Sequence, residues 1–175
     1  MKRLNLLSIS FFVSIFVSSA AGQTGSPTAA VKAFYAFDRS HSKIFSRRTI
    51  DARRGWFSNE LYKLFLNEIK REAAYLKKNP TDKPYFGDGF PFQPYDEACK
   101  VGRRSLHKTL KIDPAFEKGD RAAVTATFAF PAPCKDPDAT TYTIGLVKVR
   151  GRWLIDDVNF GEDRSLKQDL NRKDY

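Results

Sequence analysis

At 175 residues the chain is long enough for one domain with a substantial core and short for two. Thirty Lys and Arg against twenty Asp and Glu give a net charge of +10, which favours anionic partners, although the charges alternate in sign along most of the chain. Two cysteines without a Cys-x-x-Cys or a Cys/His cluster exclude a redox motif and a structural zinc site.

Lys2 and Arg3, a mostly apolar run from Leu4 to Val17 and small residues from Ser18 to Gly22 follow the order of a cleavable secretory signal. The run is shorter than the roughly 20 residues of a membrane span. Cleavage after Ala21 would leave a net charge of about +8 and a polar tail over 22–25, so we expect a single domain over 26–175 in a secreted or periplasmic protein. Export makes a Cys99–Cys134 disulfide permissible, worth roughly 3–4 kcal/mol in the chain-entropy model. Two buried free thiols are the alternative.

Ser26-Pro27 is a helix start, and Val31, Phe34, Tyr35 and Phe37 give the helix over 27–38 one apolar face. A short helix or turn is expected over 46–56, with a positive patch made by Arg47, Arg48, Arg53 and Arg54. No stacking motif or reading module accompanies it, so nucleic acid is not an expected partner. The strongest helix signal covers 58–78. Ser58 caps it, Leu61, Leu64, Phe65, Ile69, Ala73 and Leu76 form an apolar stripe, and Lys63, Glu68, Lys70, Arg71 and Glu72 take the other face.

The segment 81–98 is rich in aromatics, Pro and Gly and lacks periodicity, which is typical of a lid or binding loop. Asp88, Asp96 and Glu97 lack the spacing of a calcium loop, and no metal is assigned there. From Val101 onward the pattern is that of strands. Residues 104–116 predict a strand pair or one strand bent at Asp113-Pro114, and 117–120 a turn. In 121–130, Val124, Ala126, Phe128 and Phe130 alternate with smaller residues. A strand from Thr140 to Val149, a tight turn at Arg150-Gly151-Arg152 and a last strand over 153–160 complete an antiparallel sheet, followed by a short, frayed polar helix over 165–173. Helices first and a strand meander afterwards argue an α+β fold, with helices packed on one face of a curved sheet.

The stretch from Val147 to Val158, with its basic–Gly turn followed by Trp, aliphatic residues, Asp and Val, resembles the last hairpin of the nuclear transport factor 2-like superfamily. The aromatic opening helix fits the same pattern. Gly87-Asp88-Gly89-Phe90-Pro91-Phe92 with Asp96 is similar to an Asp–Pro–Phe signature in a secreted bacterial branch catalogued as a domain of unknown function, although Gly89 and Phe90 separate Asp88 from Pro91. The resemblance implies a cone whose helices and sheet enclose a pocket, used in different members for catalysis, binding or dimerisation across the sheet. Candidate ligand-binding residues for such a pocket are Tyr35, Phe90, Phe92, His107 and Asp157.

No catalytic constellation is assigned. The isomerase type of site in that superfamily needs a carboxylate base and an acidic donor pair that have no matching positions here. Asp156 and Asp157 are adjacent on a strand and are expected to point to opposite faces, so they cannot act as a pair. His41 reads as a surface residue, and Ser105 and Ser165 have no partner at motif spacing. The residues therefore favour a non-enzymatic binding module for a small molecule or protein, with no cofactor. A small pocket enzyme using a buried Asp is the alternative. So is a basic interaction or inhibitor-like protein of the cell envelope that contacts an anionic polymer.

Overall fold

The computed structural model describes residues 25–87, 89, 91–94, 98–134 and 139–173. The signal-like segment, Asp88, Phe90, Asp96 and Glu97 lie outside the described residues. The fold is α+β, with four α-helices and antiparallel β-structure among the described residues.

Helix α1 (Pro27–Arg39) begins where predicted, with the Ser26 hydroxyl accepting from Ala29 N and Pro27 in the first turn. Helix α2 (Arg47–Ala52) is stapled by reciprocal Ser46 and Thr49 hydrogen bonds, and a 3-10 turn (Arg54–Trp56) follows. Helix α3 (Asn59–Lys78) is capped by Ser58, which accepts from Leu61 N. The strands are β1 (Cys99–Val101), β2 (Arg104–Leu106), β3 (Thr109–Ile112), β4 (Phe116–Lys118), β5 (Arg121–Ala129), β6 (Thr140–Val149), β7 (Arg152–Gly161) and β8 (Arg164–Ser165), and α4 (Leu166–Leu170) ends the fold.

The main sheet runs β3-β5-β6-β7-β8, and β4 shares the β5 edge with β3. The bend at Asp113-Pro114 thus divides one edge strand in two. β1 and β2 form a separate two-stranded ribbon, and a Cys99–Cys134 disulfide ties it to the segment after β5. The β6–β7 turn places Arg150 at φ 49° and Gly151 at φ 80°, the two left-handed positions that a tight hairpin needs and that glycine adopts without strain. On the inner face lie Ala122, Val124, Ala126 and Phe128 of β5, Ile144 and Leu146 of β6, and Trp153, Ile155 and Val158 of β7. Against them pack Val31, Phe34 and Tyr35 of α1, Phe57, and Leu61 and Phe65 of α3.

Three expectations are corrected. The buried face of α3 is Leu61, Phe65, Glu68 and Glu72, while Ala73 is exposed. That i, i+4, i+7, i+11 row is a regular helical face, and it turns two acids inward because α4 and the 81–89 segment cover the C-terminal half. Arg53, assigned to the surface patch, is completely buried because Asp38 neutralises it. The last helix is docked rather than frayed, with Leu166 and Leu170 in the core and a Ser165–Gln168 capping box at its start.

Candidate functional site

A cleft of about 520 Å³ opens between the Lys43–Phe45 segment, the last turns of α3 and the segment over 81–87 with Gly89. Its apolar wall is made by Ile44, Phe45, Pro84 and Phe86, with the Phe45 and Phe86 rings stacked at 4.7 Å. Ile44 is 70% exposed, a large apolar side chain left in water at the rim. Gly89 sits at φ +118°, and a Cβ there would come within 2.9 Å of Lys43 O, so glycine lets the two backbones meet.

The walls are anchored from behind. Glu72, almost fully buried, accepts from Phe86 N through Oε1 at 2.8 Å, and Tyr75 donates to Asp82 Oδ2 at 2.6 Å. The Arg172 guanidinium lies 3.6 Å over the Tyr85 ring while its Nη2 meets Glu68 Oε1 at 2.5 Å. Glu68, wholly buried, is also paired with Arg71, whose guanidinium donates to the carbonyls of Arg172 and Leu170.

Burial raises the Glu72 carboxyl above its ordinary value of 4.5, reinforced by nearby Glu68 and opposed by the Phe86 N–H bond. A raised folded-state pKa means that the native chain holds this proton more tightly than the unfolded one. The contribution is therefore fully present at low pH and is lost as pH rises from about 4.5 through the folded value. Glu72→Gln keeps an acceptor for Phe86 N and removes the titration. Chemical denaturation between pH 4 and 7 should show a flatter stability profile for Glu72→Gln than for the parent, and superimposable profiles would contradict the assignment.

A second polar centre borders the cleft at Lys43. Asp38 is fully buried at the end of α1, and three side chains donate to its carboxylate. Arg53 Nε donates to its Oδ1 at 2.8 Å, and Arg53 also donates to the carbonyls of Thr49 and Ser42. Lys43 Nζ and Gln93 Nε2 donate to Oδ2 at 2.5 and 2.6 Å, and Lys43 additionally reaches the Asp38 carbonyl. Burial pulls the Lys43 amine below its ordinary value, against the opposing pull of Asp38. With both oxygens taken by cations and an amide, this carboxylate is a structural node that joins α1, α2 and the 91–94 segment.

The residues expected to line one pocket are dispersed. Tyr35 and Phe92 are together, but in the packed core, where the Tyr35 hydroxyl donates to Phe92 O at 3.0 Å. Burial, then the Asp38 and Tyr142 charges, raises the Tyr35 pKa. Beside Tyr35 remains a recess of about 40 Å³ bounded by Arg39, Gln93, Lys108, Leu110 and Phe128. His107 is exposed after β2, and Phe90 lies outside the described residues.

Asp157 Oδ1 accepts from Val158 N at 2.8 Å and Lys167 N at 2.9 Å, so this carboxylate pins α4 to β7. A register shift opposite Gly145–Leu146 leaves Asp156 as an extra residue in β7, so that both Ile155 and Val158 are buried. Strict alternation therefore fails between the two acids, and both reach the same residue. Asp156 Oδ2 meets Lys167 Nζ at 2.9 Å while Asp157 binds the Lys167 backbone.

Compared with known families, curated proteins and solved structures, the chain matches none of them. The cleft must be read from its own geometry. The aromatic density of 81–98 marked one wall in the sequence. Glu72 carried no signal, because it owes its place to Phe86 N, in a segment beyond the end of its helix.

Proposed function

We propose that the chain is a non-enzymatic binding module that takes a small, largely apolar ligand in the Phe45–Phe86 cleft. The observation that carries this reading is a stacked aromatic wall with Ile44 held in water beside it, on a segment fastened from behind by Glu72 and Arg172. Concave apolar surface fixed before the ligand arrives avoids the ordering cost of binding. The buried acids Asp38 and Glu68 are each paired with arginine, which commits their oxygens to holding the fold. Export into an oxidising compartment agrees with the disulfide. The α+β order and the β6–β7 hairpin agree with nuclear transport factor 2-like architecture. Here, however, the described residues that line the open cleft are those of 43–45, Glu72 and several of 81–89, and none of them belongs to the sheet.

Native mass spectrometry of protein made in an oxidising compartment, compared with its denatured mass, tests this directly, since a co-purifying molecule defines the ligand class. In parallel, titration with an apolar naphthalene-sulfonate fluorophore should be saturable. Ile44→Asp should weaken it by about tenfold, the scale of one lost apolar contact of ~1.4 kcal/mol. Because Ile44 is so exposed, the same variant should change stability by less than about 0.5 kcal/mol. Non-saturable fluorescence that is indifferent to Ile44→Asp, with no excess native mass, would overturn the proposal.

A further inference from the structure

Two carboxylates are among the described residues that line the cleft, and they differ in burial. Asp82 stands exposed with Thr81 and Lys83, whereas Glu72 is only 7% exposed. Oε1 of Glu72 accepts from Phe86 N at 2.8 Å, which fixes the plane of the carboxylate. The other oxygen, Oε2, has no hydrogen-bond partner among the described residues. Nor is it sealed off: among those residues, the polar side-chain atoms closed away without a partner are Arg71 Nε and Arg152 Nε. A largely buried side chain therefore holds one unpaired acceptor in the wall of an apolar cleft. Leaving such an oxygen unpaired costs free energy that a ligand's donor recovers.

The surrounding charges decide the kind of donor. Glu68, one turn earlier on α3, is committed to Arg71 and Arg172. Both guanidiniums also act on Glu72, and the cleft lining includes Lys83 and Lys43, the latter bonded to Asp38. A ligand ammonium would gain Glu72 and Asp82 and meet four cations. A neutral N–H or O–H on an apolar frame meets no such opposition and still makes a strong bond to a carboxylate. The stacked Phe45 and Phe86 rings favour a flat frame beside it.

We infer that the ligand of the cleft is a neutral, flat, largely apolar molecule with a hydrogen-bond donor at its edge, accepted by Glu72 Oε2. This rests on the binding reading above and adds the polar contact that orients the ligand. An ionised carboxylate only accepts, so a molecule of the same shape without the donor leaves Oε2 unpaired and binds less well. Glu72→Gln inverts the preference. Its amide oxygen accepts from Phe86 N, and its amide nitrogen, a donor, takes the place of Oε2.

Indole and indene test this, because they share a two-ring frame and only indole carries an N–H. Each is titrated against the naphthalene-sulfonate fluorophore on the full chain at about pH 8, where the carboxyl is ionised. Indole should displace the fluorophore at least about tenfold more tightly than indene. In Glu72→Gln the indole preference should fall to within about twofold, with indene affinity and the fluorophore signal retained. The parent chain supplies a readout that needs no variant: the N–H proton of bound 15N-labelled indole should move downfield as it donates to the carboxylate. Equal displacement by indole and indene, with fluorophore binding that is saturable and sensitive to Ile44→Asp, would overturn this inference and leave the binding reading standing. An indole preference that survives Glu72→Gln, or an unmoved N–H proton, would overturn it too. Non-saturable fluorescence indifferent to Ile44→Asp would remove the binding reading, and this inference with it.

Discussion

Asp38→Ala should destabilise the protein by about 3–5 kcal/mol, the scale on which removing one partner of a buried ion pair strands the other. Arg53 is 0% exposed and cannot reach water to replace the lost charge. It would keep its bonds to Thr49 and Ser42 carbonyls while losing the group that neutralises it. Lys43 and Gln93 lose the same acceptor, so the cleft wall and the 91–94 segment loosen together. Urea denaturation of Asp38→Ala, Arg53→Met and the double variant separates the contributions. The double variant should be more stable than Asp38→Ala, because it removes the stranded guanidinium, and a fluorophore titration should show the cleft weakened in Asp38→Ala. A loss under about 1 kcal/mol for Asp38→Ala would show that the cluster is solvated in solution.

Removing the disulfide is the second large effect. Cys99→Ser/Cys134→Ser should cost about 3–4 kcal/mol, because the bond closes a long loop and restricts the unfolded chain. The loss has a local part as well. Among the described residues the β1–β2 ribbon has no ladder to the main sheet, and an isolated two-stranded pair is marginal in water. Amide exchange in 99–106 should therefore accelerate in the double variant by more than exchange in β5–β7. Uniform acceleration throughout the molecule would show that the ribbon is held by packing instead of the covalent tie.

Much of the fold was legible because it rests on local chemistry. Ser26-Pro27 and Ser58 cap helices by satisfying the first free N–H groups, wherever the rest of the chain goes. Alternation in β5 and the Arg150-Gly151 turn are properties of a few consecutive residues, and both appear as read. The site was less legible. Tyr35 and Phe92 were selected as aromatic and did come together, but as core, since aromatic residues fill interiors as readily as they line pockets. Asp157 read as a carboxylate in search of a pocket and is a clasp for α4. A bulge at Asp156 broke the period-two argument, and a bulge depends on the partner strand's register, which one strand's pattern does not contain.

The amino-acid sequence by itself determined the α+β order, the helix starts, the strand meander and the cysteine pair, all of which follow from short-range pattern and composition. Only the tertiary structure decided which charges are buried. Arg53, Glu68 and Glu72 sit in polar stretches of sequence, and each is drawn inside by a group far away along the chain or by its backbone: Asp38, Arg172 and Phe86 N. The same dependence places the cleft between Phe45 and Phe86, which meet only because α3 holds both segments against it. Burial of charge follows from a partner's position, and that position exists only once the chain has folded.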